Sequence, residues 1–354
     1  MPMYLRIGVA VVAALVVSFA VTPAVKWFAR KIGAMDIPKD SRRVHKTPIP
    51  RLGGLAIFIG FILSVLVFAD ITTQIKGILL GAVVIVIIGV VDDIKPLPAL
   101  LKFLVQIVAA LIAVYFGVVI EAFSNPLVFS DSQYVFLYSL SIPITVVWIV
   151  AITNSVNLID GLDGLAVGVS TISAVVMLII SLMVSDSNVA VDSNIAVIMA
   201  ALTGACLGFI PYNFNPAKIF MGDTGALLLG YILATMSILG LFKFYAVVSF
   251  AAPFLALALP LFDTAFAFLR RLLKGQNPMK PDRGHFHHRL LDMGLSQKQA
   301  VVIMYTISGF LGLTAVVVAT SSKIKALILI IALLIAAVIV FFTFHHRRRK
   351  PPEE

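Results

Sequence analysis

Five carboxylates, Asp92, Asp93, Asp160, Asp163 and Asp223, lie in three polar segments that interrupt otherwise apolar sequence. One such Asp is most simply a helix cap or part of a solvated turn. Five of them, each set among Asn, Gly or basic residues, suit another chemistry. Carboxylates next to hydrocarbon are costly and mark functional sites. Grouped oxygens also need a compensating charge, and a hard divalent cation such as Mg²⁺ supplies one. In the segment 154–166, Asn154, Asn157 and Asp160 recur every three residues, so a helical turn puts them on one face. Asp163 extends that ladder if the helix persists past Gly161. No basic residue accompanies the ladder, which points to a metal as its counter-charge. Turn chemistry accounts for Gly161 and Gly164 but not for the repeated amides and carboxylates.

The second acidic segment is Asp92-Asp93, followed by Lys102 and Gln106. Adjacent carboxylates repel, so a cation is expected beside them; the plain alternative is a solvated acidic turn. In the third, Asp223 sits between Gly222 and Thr224 at the head of an apolar run, three residues after Phe220. Taken alone it reads as an N-cap. Two basic segments complete the set. Lys46 and Arg51 precede Gly53-Gly54, where a helix start with close backbone approach favours anions, although anchoring at a membrane face explains them equally. His285, His287 and His288 lie with Arg283 and Arg289 within seven residues. Such a cluster can ligate a transition metal, but two arginines would repel a cation. An anion such as pyrophosphate fits better. Asp263, inside an apolar run, is either functional or the partner of a neighbouring helix.

The elements that must position these residues are membrane helices. Apolar residues make up 60% of the 354-residue chain and charged ones 12%, with a mean hydropathy of +1.06. Soluble domains are about 25% charged. The apolar runs lack strict alternation and many approach the roughly 20 residues that cross a bilayer. We read eleven spans, at 5–28, 53–69, 77–91, 101–119, 137–152, 165–184, 195–212, 226–241, 246–269, 300–320 and 326–344. The expected fold is therefore all-α and polytopic. With the C-terminus cytoplasmic and the N-terminus outside, all but five of the 27 Lys and Arg fall on the cytoplasmic side. The five are Arg6, Lys76, Lys243, Lys323 and Lys325. So one-sided a split follows the positive-inside rule, and it sets all five grouped carboxylates at the cytoplasmic face.

The net charge of +10 is thus a topological signal that also attracts anionic lipid; nucleic-acid binding is not expected. The single Cys206 allows no intrachain disulfide. The first run lacks a basic leader and is followed by a basic block, so it reads as a retained anchor. Residues 1–344 read as one transmembrane catalytic domain, with a cytoplasmic loop at 270–299 carrying the His cluster. Residues 345–354 form a basic cytoplasmic tail.

Taken in order, the Pro-Arg-Leu-Gly-Gly run ending at Gly54, Asp92-Asp93, the segment 154–166, Phe220-Met221-Gly222-Asp223 and the His285–Arg289 cluster span nearly the whole chain. Together they resemble the polyprenyl-phosphate N-acetylhexosamine-1-phosphate transferases, glycosyltransferase family 4. His285-Phe286-His287-His288-Arg289 is similar to the WecA/TagO branch rather than the related MraY branch. The resemblance implies transfer of GlcNAc-1-phosphate from UDP-GlcNAc to undecaprenyl phosphate, with release of UMP and with Mg²⁺ (or Mn²⁺ in its place). It implies a bacterial plasma membrane enzyme with a cytoplasm-facing site, acting at the first lipid-linked step of an envelope glycan such as teichoic acid. It also implies roles. Asp223 and Asn157 would be metal ligands, Phe220 and Asp163 would meet the uracil, and Lys102 would contact phosphate. Asp92 and Asp93 would be the acidic catalytic pair. His287 and His288 would act at the reacting phosphates, with Lys46, Arg51, Asn154, Asp160, His285 and Arg289 binding substrate around them.

A phosphate monoester is mostly dianionic at neutral pH, its second pKa being about 6. The acceptor therefore needs little deprotonation, and the main barrier is repulsion between two anionic phosphates. Two other readings stand beside this one: transfer of phospho-MurNAc-pentapeptide, and an ion-coupled transporter. A transporter would carry carboxylates at mid-bilayer on several spans, and only Asp263 is placed so. An exposed apolar face meets lipid and a second copy alike, so a homodimer fits the sequence as well as a monomer.

Overall fold

The computed structural model describes residues 1–37, 47–124, 134–185, 193–240, 254–273 and 285–320. Its elements, in chain order, begin with α1 (Met3–Lys31), the short pair β1 (Met35–Asp36) and β2 (Ile49–Pro50), α2 (Gly53–Phe68), α3 (Thr73–Ile94) and α4 (Ala99–Tyr115). A hairpin of β3 (Ala122–Ser124) and β4 (Tyr134–Phe136) leads to α5 (Ser141–Leu158), α6 (Leu165–Ser185), α7 (Ser193–Asn213) and α8 (Gly222–Gly240). After them come α9 (Ala258–Leu273), the short α10 (Phe286–Asp292) and α11 (Gln297–Thr320). Both strand pairs are antiparallel.

Helices cover the first eight expected spans, part of the ninth, and the tenth. The span at 326–344 and the tail 345–354 lie outside the described residues. Among the described residues seven helices are long and apolar enough to cross a membrane, while Gly53–Phe68 and Ala99–Tyr115 are shorter apolar helices. The packing is of the membrane kind. Along α1 the buried stripe is mostly small, with Ala10, Ala14, Ser18, Thr22 and Ala29, whereas Tyr4, Leu5, Val12, Val16 and Trp27 point outward. With lipid as apolar as any side chain, close backbone approach rather than exclusion of large residues holds such helices together. Gly60 meets α1 in this way, where an added Cβ would fall 2.8 Å from the carbonyl of Ala14.

The architecture centres on α8. Every residue from Gly222 to Gly240 except Asp223 is buried, as expected of a helix that is apolar all round. It packs against α2, α3, α5 and α6. Its N-terminus opens at the end of the bundle where α3 finishes with Asp92-Asp93 and α5 finishes with Asn157. At the opposite end, Arg6 pairs with Asp70 at 2.9 Å and donates to the carbonyl of Phe68. There Asn194 exchanges two hydrogen bonds with the Asp70 backbone. That contact locks α1, the α2–α3 turn and α7 together, far from the acidic residues.

Candidate active site

The site is built around the N-terminus of α8, and backbone holds it first. The segment after β2 runs beside the segment entering α8. Phe220 donates its N–H to the carbonyl of Pro50 at 2.8 Å, while Gly53 and Gly54 donate to the carbonyls of Phe220 and Met221, both at 2.9 Å. A Cβ on Gly54 would overlap the backbone of Gly225, so the Gly pair lets α2 and α8 start in contact. Leu52, fully buried, takes a left-handed φ of 118° at this junction. A non-glycine residue pays a steric cost there, which the surrounding backbone bonds hold in place.

Asp93 joins α3 to the same helix start. Its Oδ1 accepts the Asp223 N–H at 3.0 Å. Its Oδ2 accepts the Thr224 N–H at 3.1 Å and the Thr224 hydroxyl at 2.7 Å. The Arg51 Nε lies 3.3 Å from Oδ1. Every lone pair of this buried carboxylate is thus engaged on the positive end of α8. Asp92 accepts the Leu97 N–H at 2.8 Å and lies 3.3 Å from the Lys102 ammonium. Lys102 also reaches Asp223, at 2.7 Å. The cations expected beside the acidic pair are therefore Arg51 for Asp93 and Lys102 for Asp92.

In front of these residues opens a cavity of about 560 Å³, a size suited to a small-molecule ligand. Asn157, Asp160, Asp163, Asp223, Arg51, Phe220 and His288 line it. The ladder from 154 to 163 enters it differently from the expected helical stripe. Helix α5 ends at Leu158, so Asp160 and Asp163 reach the cavity from turns. The Gly-containing turn stops the helix before Asp163, and the regular spacing does not survive. Asn154, one turn deeper, exchanges hydrogen bonds with Gln106 of α4 and does not line the cavity. Asp163 is fixed by the loop before α8: its Oδ2 accepts from the Asn215 side chain at 2.9 Å and from the Ala217 N–H at 3.0 Å. Part of Asp160 faces the cavity, but protein atoms crowd its carboxyl. Burial first, then the charges of Asp223 and Asp93, push its pKa up to about 7.

The His cluster divides. His288 lines the cavity. His287 is buried behind Gly161, where an added Cβ would come 2.5 Å from its Nε2. Burial and the neighbouring His288 lower its pKa to about 4, so it is a neutral packing residue near neutral pH, and its Nδ1 has no hydrogen-bond partner among the described residues. His285 stacks on His287 with ring centroids 5.8 Å apart and faces away from the cavity, onto Asp263. Arg289 lies over the Phe266 ring. Lys46 and Arg283 are outside the described residues.

Thr47, from the segment that holds Lys46 and Arg51, also lines the cavity, as do Asp36 and Gln297, which belong to none of the polar segments singled out in sequence. Asp36 lies on β1, whose pairing with β2 brings it to the mouth. Gln297 starts α11 and accepts from Asn215 at 2.7 Å. Neither lies in a distinctive motif, and only the tertiary pairing reveals them.

The donor set also bears on a metal. Among the described residues no three His, Cys, Asp or Glu side chains converge as a metal cage. Asp223 and Asn157 are adjacent, with the Asn157 amide 3.2 Å from Asp223 Oδ1. Mg²⁺ commonly takes one or two protein oxygens and completes its shell with substrate phosphate and water, so this pair fits such an ion.

Apolar helices of membrane length, enclosing an oxygen-rich cavity at one end of the bundle, define a multi-pass membrane protein with a built polar site. Residues 75–241 match the glycosyl transferase family 4 pattern. A probable undecaprenyl-phosphate N-acetylglucosaminyl 1-phosphate transferase of Bacillus subtilis is 42% identical over 90% of this chain and 86% of the relative. A decaprenyl-phosphate N-acetylglucosaminephosphotransferase of Mycobacterium tuberculosis is 36% identical over 84% and 78%. A phospho-N-acetylmuramoyl-pentapeptide-transferase of Staphylococcus aureus is 32% identical over 85% and 96%. The chain belongs to glycosyl transferase family 4.

Proposed function

We propose that this protein transfers GlcNAc-1-phosphate from UDP-GlcNAc to undecaprenyl phosphate at the cytoplasmic face of a bacterial plasma membrane. The orientation is the one the charge split favours, with eleven spans and the N-terminus outside. The observation that carries the proposal is the convergence of Asn157, Asp163, Asp223, Phe220, Arg51 and His288 on one cavity, in a chain related to enzymes named for this transfer. The product would start an envelope glycan such as teichoic acid.

In the reaction a phosphate oxygen of the lipid attacks the β-phosphorus of UDP-GlcNAc. The bond from that phosphorus to the bridging oxygen breaks, and UMP leaves with the electron pair. The acceptor arrives already ionised, so the protein's task is to neutralise and align two anions. Arg51 and His288 border the cavity, and Lys102, paired with Asp223, stands next to it. Phe220 and Asp163 would hold the uracil. A Mg²⁺ ion on Asp223 and Asn157 would screen the transferring phosphates. Asp92, tied to Lys102, would orient that cation toward the lipid phosphate.

Purified protein incubated with labelled UDP-GlcNAc, Mg²⁺ and a short polyprenyl phosphate should yield organic-soluble label and stoichiometric UMP. Transfer only from the MurNAc-pentapeptide donor would move the protein to the other branch. No transfer from either donor would defeat the enzyme reading.

A further inference from the structure

Asp263 does not touch the cavity, yet it is buried and bonded through both carboxylate oxygens. From α9 its Oδ2 lies 2.9 Å from the Nδ1 of His285, and its Oδ1 accepts the N–H of Phe286 at 2.7 Å. The carboxylate favours the tautomer with hydrogen on Nδ1. Three residues on, Phe266 lies under the guanidinium of Arg289, 5.0 Å from the ring centroid. Asp263 and Phe266, three residues apart, share a face of α9, and His285 and Arg289, four apart, likewise fall on one side of α10. Helix α10 is therefore clipped to α9 at two points.

A helix of seven residues has little geometry of its own, so these contacts set where it points. Beyond the clip, His287 stacks on His285 and meets the tilted ring of His288, with centroids 5.8 and 4.3 Å away, and it abuts Gly161. His288 is the member of the row that lines the cavity.

We infer that Asp263 is a positioning residue that sets His288 in the cavity by holding His285 and the first turn of α10. The inference rests on the reading of the cavity as the donor site, and it acts through His288 alone.

The test is a double-mutant cycle on the purified full-length protein, assayed for transfer from UDP-GlcNAc to polyprenyl phosphate. Asp263→Asn keeps the volume and one acceptor but loses the charge facing His285; Asp263→Ala removes both acceptors. The expected result is a fall in kcat of about tenfold for Asp263→Asn and at least as much for Asp263→Ala, with the KM for polyprenyl phosphate unchanged. In a His288→Ala background neither change should reduce the rate further, because their shared route is already cut. Should Asp263→Ala not accumulate, Asp263→Asn, with an unaltered melting temperature, decides alone. Equal losses in both backgrounds, or no loss from Asp263→Asn, overturn the inference while leaving the transfer reaction standing. An inactive wild-type protein instead defeats the donor-site reading itself.

Discussion

At the residue scale the acidic pair separates into unlike members. Asp93 is saturated by the two N–H groups and hydroxyl at the head of α8 and by Arg51, which leaves no lone pair to receive a substrate proton. Asp93→Asn presents an amide N–H₂ to backbone donors and should cost about 2–4 kcal/mol of stability. Melting temperature and kcat should fall together, without a change in the shape of the pH–rate profile. A variant of normal stability that lost the basic limb of that profile would make Asp93 a proton acceptor. Asp160 makes a second prediction. Its carboxyl, ordinarily near 3.8, is raised to about 7, so the native state holds a proton that the unfolded chain has already released. Stability from this group is full below about pH 4 and is lost as pH rises through about 7. Thermal melting in EDTA between about pH 5 and about pH 8 should therefore decline more steeply for the wild type than for Asp160→Asn. Parallel curves would show that Asp160 does not take up the proton.

At the element scale the site depends on close approaches that glycine permits. Gly161→Ala would drive a Cβ against His287, displacing α10 and with it His288. Overpacking of this kind costs about 1–3 kcal/mol, and transfer should drop at least tenfold, as expected when a positioned group shifts by about 1 Å. Gly309, with nothing within 4 Å of its added Cβ, is the control; Gly309→Ala should leave both stability and rate intact. Elements of this protein were unequally legible in its sequence. The long helices stand out because each is a run of apolar residues of the right length, and α1 and α8 follow their runs closely. The ladder at 154–163 misled in its geometry: spacing by three suggested one helix face, yet α5 ends at Leu158 and turns deliver Asp160 and Asp163. Helix α10 is too short to leave a periodic signal, and the His cluster with its arginines reads as one anion-binding group. Burial separates them into a clip (His285), a packing residue (His287) and a cavity residue (His288). Nothing local in sequence encodes that a backbone segment after β2 pairs with the entry to α8.

At the scale of the whole molecule, the site and the clamp formed by Arg6, Asp70 and Asn194 lie at opposite ends of the bundle. Helix α3 connects them. Its 22 residues span about 33 Å at 1.5 Å per residue, close to the hydrocarbon thickness of a bilayer. Lys76 sits at one end, and Asp92, Asp93 and Lys95 at the other. Lys76 and Lys95 are both exposed, so either can report its side of the membrane. The native Cys206 is buried and should label poorly. On the proposed orientation Lys76 lies outside and Lys95, at the end of α3 that carries Asp92 and Asp93, in the cytoplasm. An impermeant maleimide applied to intact cells should therefore modify Lys76→Cys, and should reach Lys95→Cys only after permeabilisation. The reverse pattern would put the cavity outside the cell, away from nucleotide-activated sugars, and would remove the physical basis for the proposed transfer. Labelling of both from one side would mean that α3 does not cross the bilayer, and the positive-inside argument for eleven spans would fail with it.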